Sequence, residues 1–393
     1  MRVVMFYHSL VSDWNHGNAH FLRGIATELI DRGHDVCIYE PADGWSLAHL
    51  RAEQGERPLR AFAAHYPRLK SHFYDPEQLD LERALDRADL VLVHEWTDPA
   101  LIARIGAHRA RHRYRLLFHD THHRSVSDAD GIAGCKLDDY DGVLAFGEAI
   151  RQRYLDAGWS RHVWTWHEAA DTRVFRPLPD EPHEADLVWI GNWGDGERDR
   201  ELNEFLVEPV AALKLRATIH GVRYPRRVLR QLAAVAFDYR GWLANFDAPV
   251  AYARHRVTVH VPRRPYARAL PGIPTIRMFE ALACSIPLIT APWQDCEHLF
   301  EPGEDYLMAK DGTEMRAQLR AVLNEPELAA ALAQHGRRTI AARHTCAHRV
   351  DELLTLAASL DQHGLDEAKR NPGLRDSGAA RLHPGYNVEA TSS

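Results

Sequence analysis

LPGIPTIRMFEALACSIPLITAPWQDC, running from Leu270 to Cys296, reads as a tight Pro/Gly loop, a helix from about Thr275 to Cys284, a strand from Pro287 to Thr290 and a second loop. A loop that turns directly into a helix leaves the first backbone N–H groups without intrahelical partners, here Thr275, Ile276, Arg277 and Met278. The helix dipole then favours an anion such as a diphosphate at that end. Glu280 follows about a turn and a half in, placed to accept hydrogen bonds from hydroxyls carried by that anion. A diphosphate beside a diol is the chemistry of a nucleotide sugar. The plainer alternative is that Ile276, Phe279, Leu282 and Ala283 mark a buried helical face and Glu280 is a solvated side chain.

Upstream, the strand Val257 to Val261 runs into PRRPYARALPG, so Arg263, Arg264 and Arg268 border the presumed anion loop. Tyr239 to Leu243 reads as a short loop in which Trp242 is either a platform for a nucleotide base or part of a core. Asp186 to Ile190 is a strand feeding the turn Gly191-Asn192-Trp193-Gly194, with Arg198 and Arg200 just beyond. A strand leading into a Gly-rich turn suits phosphate, although no complete GxGxxG is present.

The run PTIRMFEALACSIPLITAPW resembles the donor-site signature of GT-B glycosyltransferases, and most of all the branch known as CgeB-like or glycosyl transferases group 1; Gly191-Asn192-Trp193 with Arg198 and Arg200 resembles the first donor-domain loop of that branch. The resemblance implies an α/β fold of two Rossmann-like domains facing across a cleft, with a C-terminal helix crossing back to the first domain. It implies donor contacts from Gly191, Asn192, Trp193, Arg198, Trp242, Arg263, Arg268, Gly272, Ile273, Thr275, Ile276 and Glu280. Two positions depart from the pattern: Gly272 stands where retaining relatives carry a first Glu, and Ser285 replaces the usual Gly.

The N-terminal half repeats the strand-then-polar-loop form. Arg2 to Tyr7 is a strand, followed by a loop with Gly17 and Asn18, a helix opened by His20, and a second strand after Gly33-His34-Asp35. Residues Trp45 to Leu85 read as polar helix without chemistry. Ala88 to Val93 ends in His94 and Glu95, and Arg115 to Phe118 ends in the cluster His119-Asp120-Thr121-His122-His123. Polar residues past strand ends point into the crevice of a parallel sheet. Three readings of that cluster stand together: a metal site, hydrogen-bonded structural histidines, and substrate contact or proton transfer. The resemblance places His119 near the reacting sugar with Asp120 as its orienter or as a base, and puts Gly17, Asn18, His20, His94 and Glu95 on the acceptor side of the cleft. WTWHEAADTRVFRPLPDEP matches the interdomain connection through Asp171, Phe175 and Pro177. The expected division is therefore 1–176, a linker 177–184, a donor domain 185–345, a crossing helix 346–370 and a disordered tail 371–393 rich in Gly, Ser and Pro.

With 393 residues, two cores are expected; an apolar fraction of 45% and a charged fraction of 26% are those of a globular protein. No run approaches the roughly 18 apolar residues of a membrane span, and Met1 leads straight into a strand, so a cytoplasmic location is expected. The five cysteines are scattered without a CxxC pair, which suits reduced thiols. A net charge of −7 disfavours nucleic acid as the default partner, although basic charge is nearly all Arg and Arg104, Arg109, Arg111, Arg113 and Arg115 form one basic stretch.

The expected activity is transfer of a sugar from a nucleotide-sugar co-substrate to an acceptor without a metal or other cofactor, in the retaining sense by family likeness. Gly272 leaves open an inverting route with Asp120 or His119 as base. The acceptor is expected to be a small molecule, glycan or protein, and the resemblance also allows a homodimer. Two other classes stand beside this one: a non-catalytic nucleotide-sugar binding protein, and a transferase acting on nucleic acid through the Arg-rich stretch. No lysine sits in a convincing pyridoxal-phosphate context, which disfavours a phosphorylase.

Overall fold

The computed structural model describes residues 1–370 other than Asp195 and Ala236, with side chains as far as residue 360. The tail 371–393, for which the sequence predicts disorder, lies outside the described residues. Two parallel sheets carry the chain. The first holds β1 (Arg2–Phe6), β2 (Asp35–Pro41), β3 (Ser71–Tyr74), β4 (Leu90–His94), β5 (Arg115–Asp120), β6 (Gly142–Ala145) and β7 (Val163–Thr165), in the order β3-β2-β1-β4-β5-β6-β7. The second holds β8 (Ala185–Ile190), β9 (Ala217–His220), β10 (Phe237–Gly241), β11 (His255–His260), β12 (Leu288–Thr290) and β13 (Leu307–Met308), in the order β10-β9-β8-β11-β12-β13.

The central strands are apolar along their whole length because helices cover both faces: Val3 to Phe6 of β1 and Leu90 to Val93 of β4 are all at 0% exposure. Strand order reverses at β1, between β2 and β4, and at β8, between β9 and β11. Each reversal opens a crevice beyond the strand C-termini, where ligands of doubly wound sheets sit.

The edge strands differ from the sequence expectation. β3 (SHFY) lies inside the segment expected to be helical throughout, and β10 (FDYRG) replaces an expected loop. Each has a neighbour on one side and partial cover, so neither needs an apolar run to form; Phe73 of β3 is 47% exposed.

The helix Cys346–Arg370 follows the second sheet in sequence and packs on the first-domain helix Ala19–Asp31. Arg32 pairs with Asp351 and donates to the Ala347 carbonyl at 3.0 Å, and the Trp166 indole donates to the Arg349 carbonyl at 2.9 Å. Gly24 makes the close crossing feasible, since a Cβ there would lie 2.4 Å from Cys346 Sγ.

The helix Ile276–Ala283 begins and ends within a residue of its sequence expectation. It is terminated at Ser285, which has φ +56° where its resembled family carries Gly. A left-handed serine costs about 1 kcal/mol relative to glycine. Ser285→Gly is therefore expected to raise Tm by a few degrees without altering the cleft, as differential scanning calorimetry would read; an unchanged or lower Tm would mean that the Ser285 side chain supports the turn.

Candidate active site

The crevices of the two sheets meet in one cavity of about 610 Å³. Its second-domain wall consists of the β8 loop (Gly191, Asn192, Glu197, Arg198), the β11 end (His260, Arg263) and the start of the helix Ile276–Ala283 (Thr275, Ile276, Arg277). Its first-domain wall consists of His8, Asn15, His16, Gly17 and Asn18 from the β1 loop, with Trp96, Thr121, His122 and His123 from the loops after β4 and β5. Gly17 lies against the helix Ile276–Ala283: an added Cβ would stand 3.2 Å from Ile276 Cγ2 and 3.8 Å from an Arg277 nitrogen.

Arginine dominates the second-domain wall. Arg198 is 8% exposed, donates to the carbonyls of Val261 (2.8 Å) and Asn192 (2.5 Å), lies over the Trp189 ring and leaves Nε unpartnered among the described residues. Burial, reinforced by Arg263, lowers its pKa to about 9. Arg263 donates to Glu197 at 2.9 Å, and Glu197 also faces His123 at 3.8 Å across the cavity. Arg277 is held by the carboxylate of Glu280. The helix N-cap, Thr275, does not close its own helix with a side-chain hydrogen bond; its hydroxyl is engaged by His260 Nε2 at 3.0 Å, while His260 Nδ1 meets Thr290 at 3.0 Å. That chain of three side chains fixes the helix start against β11 and β12.

Glu280 does not reach the cavity, contrary to the expectation from its spacing. It is at 0% exposure, with Oε1 facing His20 Nδ1 at 3.1 Å and Asn245 Nδ2 at 3.2 Å and Oε2 taken by Arg277. Burial pushes its pKa up, but Arg277 and His20 together outweigh burial and hold it below the usual carboxylate value. The Asp171 N–H donates to His20 Nε2 at 2.8 Å, so Nδ1 carries the proton and donates it to Glu280. His20 thus ties the helix Ala19–Asp31 to the segment at Asp171 and to the helix Ile276–Ala283, and stacks on Phe175 at 3.9 Å.

His119 and Asp120 also lie behind the wall rather than in it. They are the last two residues of β5, paired with β4 and β6, and both are at 0% exposure. His119 packs against Trp166 and His94, and burial lowers its pKa to about 3. Asp120 accepts from the Tyr154 hydroxyl (2.8 Å) and the His122 N–H (3.1 Å), with its pKa raised to about 6 by burial. His94 meets the Thr121 hydroxyl at 3.0 Å, and Glu95 accepts the Thr121 N–H at 2.9 Å. These residues brace the loop that presents Thr121, His122 and His123. His8 and His122 each keep a buried Nδ1 without a partner among the described residues, and burial depresses both, His8 to about 4.

Of the other donor residues expected from the sequence, Gly191, Asn192, Arg198, Arg263, Thr275 and Ile276 line the cavity, as Gly17 and Asn18 do on the other side. Trp193 (1% exposed) and Ile273 (2%) are core. Trp242 is outside the lining, where it donates to Asp13 at 3.0 Å and packs beside Trp14 and Val222. Arg268 points to solvent, its side chain 74% exposed. Gly272 turns the loop at φ +86°, and a Cβ there would stand 2.8 Å from Glu297 Oε1 and 2.9 Å from Cys296 Sγ. A side chain at this position would be strained by the positive φ and would require Glu297 and Cys296 to shift.

A sequence search of curated proteins finds no match. The family model described as glycosyl transferase-like matches residues 198–355. Among solved structures, HepE of Anabaena in complex with UDP-glucose is similar with TM-score 0.67 and 13% identity, over 91% of this chain and 100% of that one. An alpha-glucosyltransferase in complex with UDP and a 13-mer DNA gives TM-score 0.68 and 11% identity, over 91% of this chain and 99% of that one. Sucrose-phosphate synthase from Thermosynechococcus elongatus gives 0.64 and 14%, over 92% and 100%. The fold is GT-B, and residues 198–355 match a glycosyl transferase-like family model. No helix among the described residues is long and apolar enough to cross a membrane.

Proposed function

We propose that this GT-B glycosyltransferase transfers a sugar from a UDP-sugar to an acceptor hydroxyl, without a metal, in the cavity between its two sheets. The observation that carries the reading is the convergence of Arg198, Arg263 and Arg277 around the start of the helix Ile276–Ala283. Three guanidinium groups and a helix N-terminus suit a diphosphate and offset the charge that builds on it as it leaves. UDP is favoured over other nucleotides because two of the similar structures hold UDP or UDP-glucose. The division into an acceptor domain 1–176, a linker 177–184, a donor domain 185–345 and a returning helix 346–370 belongs to this reading, as does a cytoplasmic location. Membership of the CgeB-like branch rests on the segments 189–200 and 270–293.

We assign a retaining outcome. In that route the bond from the anomeric carbon to the diphosphate oxygen breaks, the acceptor oxygen bonds to the same face, and the acceptor proton passes to the departing diphosphate. An inverting route needs a protein base matched to neutral pH. Burial depresses His8 to about 4, His260 to about 3 and His16 and His122 well below the ordinary value, His123 is engaged by Glu197 and Ser127, and Asp120, at about 6, is fully buried outside the cavity lining. Glu280 acts as a positioning residue for Arg277 rather than as a direct ligand of the donor.

Thermal stabilisation against UDP-, GDP-, dTDP- and CMP-sugars, with and without EDTA, tests the donor and the metal together. UDP-sugars are expected to raise Tm by several degrees at saturating concentration, unchanged by EDTA. A shift with another nucleotide alone, or one that EDTA abolishes, would overturn the respective part of the proposal. The anomeric configuration of the product by NMR decides the stereochemistry.

A further inference from the structure

We propose that Glu82, His108 and His112 form a binding site for a divalent transition-metal ion such as Zn²⁺, on the outer face of the first domain and outside the donor cavity. His108 sits in the last turn of the helix Pro99–Arg109, and His112 follows in the turn beyond it. Their rings stack with centroids 3.9 Å apart and planes within 4°. Glu82, on the short helix Leu81–Ala84, brings both Nε2 atoms to one carboxylate: its Oε2 is 3.5 Å from His108 Nε2 and its Oε1 is 3.6 Å from His112 Nε2. Ligands on a tetrahedral zinc with bonds of 2.0–2.2 Å stand about 3.4 Å apart, close to these separations, and a shared ion requires the more exposed His112 ring to tilt out of the stack so that both lone pairs meet.

The tautomer of His108 carries the inference further. The Tyr114 hydroxyl donates its single proton to the Ile105 carbonyl at 3.2 Å. Toward His108 it therefore accepts, and the 3.1 Å contact is a hydrogen bond from His108 Nδ1–H. Neutral His108 then holds a lone pair on Nε2, aimed at the carboxylate of Glu82. His108 is only 4% exposed, and its Nε2 has no hydrogen-bond partner among the described residues. A lone pair facing a carboxylate is repulsive unless a positive centre lies between them, either a proton on Nε2 or a bound metal ion, and the second Nε2 of His112 at the same carboxylate favours the ion. The Nδ1 bond to Tyr114 is moreover the outer contact that orients metal-ligating histidines. His112 and Glu82 are more exposed, which gives the ion an entry path and leaves a fourth position for water.

A second group, Glu301, Glu304 and His335, is spaced closely enough for an ion but differs in this respect. Both of its histidine nitrogens are already engaged, Nδ1 by Asp305 at 2.6 Å and Nε2 by Glu304 at 2.8 Å. It serves as the internal control. The ion at Glu82 would tie the Leu81–Ala84 helix to the turn after the Pro99–Arg109 helix, a structural clip that takes no part in sugar transfer.

The test uses the full chain without a polyhistidine tag, stripped with EDTA and titrated with Zn²⁺, Co²⁺ and Mg²⁺ at neutral pH. Calorimetry is expected to show one equivalent of Zn²⁺ binding, with a rise in Tm, intense visible absorption for Co²⁺ and no response to Mg²⁺. His112→Gln and Glu82→Gln, both at accessible positions, are expected to weaken Zn²⁺ binding at least tenfold, His108→Gln to abolish it, and His335→Ala to leave it unchanged. Transfer activity is expected to be the same with and without the ion. Absence of Zn²⁺ binding, or binding that survives His112→Gln and Glu82→Gln, would overturn the site, as would loss only in His335→Ala.

Discussion

Replacing Arg198 with Met is expected to lower kcat for sugar transfer by about 10²–10³-fold, the loss typical when one fixed donor of charge stabilisation is removed from a developing anion. The substitution keeps a side chain of similar length and removes the charge over the Trp189 ring together with the hydrogen bonds to the Val261 and Asn192 carbonyls. Two of the three guanidinium nitrogens are occupied by carbonyls, which fixes the group in place before substrate arrives. Its charge is uncomfortable there, since burial and Arg263 pull its pKa down to about 9. A diphosphate relieves that strain most when its own negative charge is greatest, as the sugar departs. The effect should therefore fall on kcat more than on KM. Release of UDP, measured alongside Tm to exclude unfolding, checks it. Arg268→Ala provides the contrast: that side chain is 74% exposed, and its removal is expected to leave turnover within twofold. Should the Arg198 variant retain rates within threefold of the parent, the diphosphate does not lie on this wall.

Sequence pattern anticipates the cavity lining from the second sheet better than that from the first, and strand length explains the difference. In the second sheet β8 and β11 end just before Gly191 and Asn192 and before Arg263, and these residues line the cavity together with Thr275 at the helix start. In the first sheet β4 and β5 continue through polar residues. His94 and His119 form a register pair inside the sheet, and Asp120 pairs with Ala145. Reading polarity as the end of the strand therefore places the crevice three residues early, on His119 and Asp120 instead of His122 and His123. Burial keeps His119 neutral inside the sheet, and both of its ring nitrogens are without a partner among the described residues. His8 and His16 carry no signal at all, because single histidines in a loop have no periodicity and meet only when β1 and its loop fold. Arg277 is one polar residue in a largely apolar helix, and its meaning depends on the grip of Glu280, which only the folded chain displays.

Glu280→Ala should produce the largest loss of stability in the set, about 3–5 kcal/mol, because it breaks a buried ion pair and strands one partner. The carboxylate is fully buried and satisfies Arg277, His20 and Asn245 at once, and its removal leaves all three without their acceptor. At a few degrees per kcal/mol, Tm is expected to fall by roughly 10 °C, and donor affinity with it, since Arg277 loses its anchor. Arg277→Ala separates the charge from the carboxylate, and pH distinguishes the two effects. In the parent, Glu280 has a folded pKa below its ordinary value of 4.5, so its contribution is present above that value and is lost as pH falls through the folded pKa. Without Arg277, burial dominates and raises the folded pKa, so ionisation now works against folding and stability falls as pH rises above the ordinary value. The parent therefore loses stability through this carboxylate as pH falls below its ordinary value of 4.5, whereas Arg277→Ala loses stability through it as pH rises above that value, a slope of opposite sign. If the parent and Arg277→Ala give parallel slopes, Glu280 is not governed by Arg277, and the assignment of Glu280 as the group that sets the diphosphate-binding arginine is wrong.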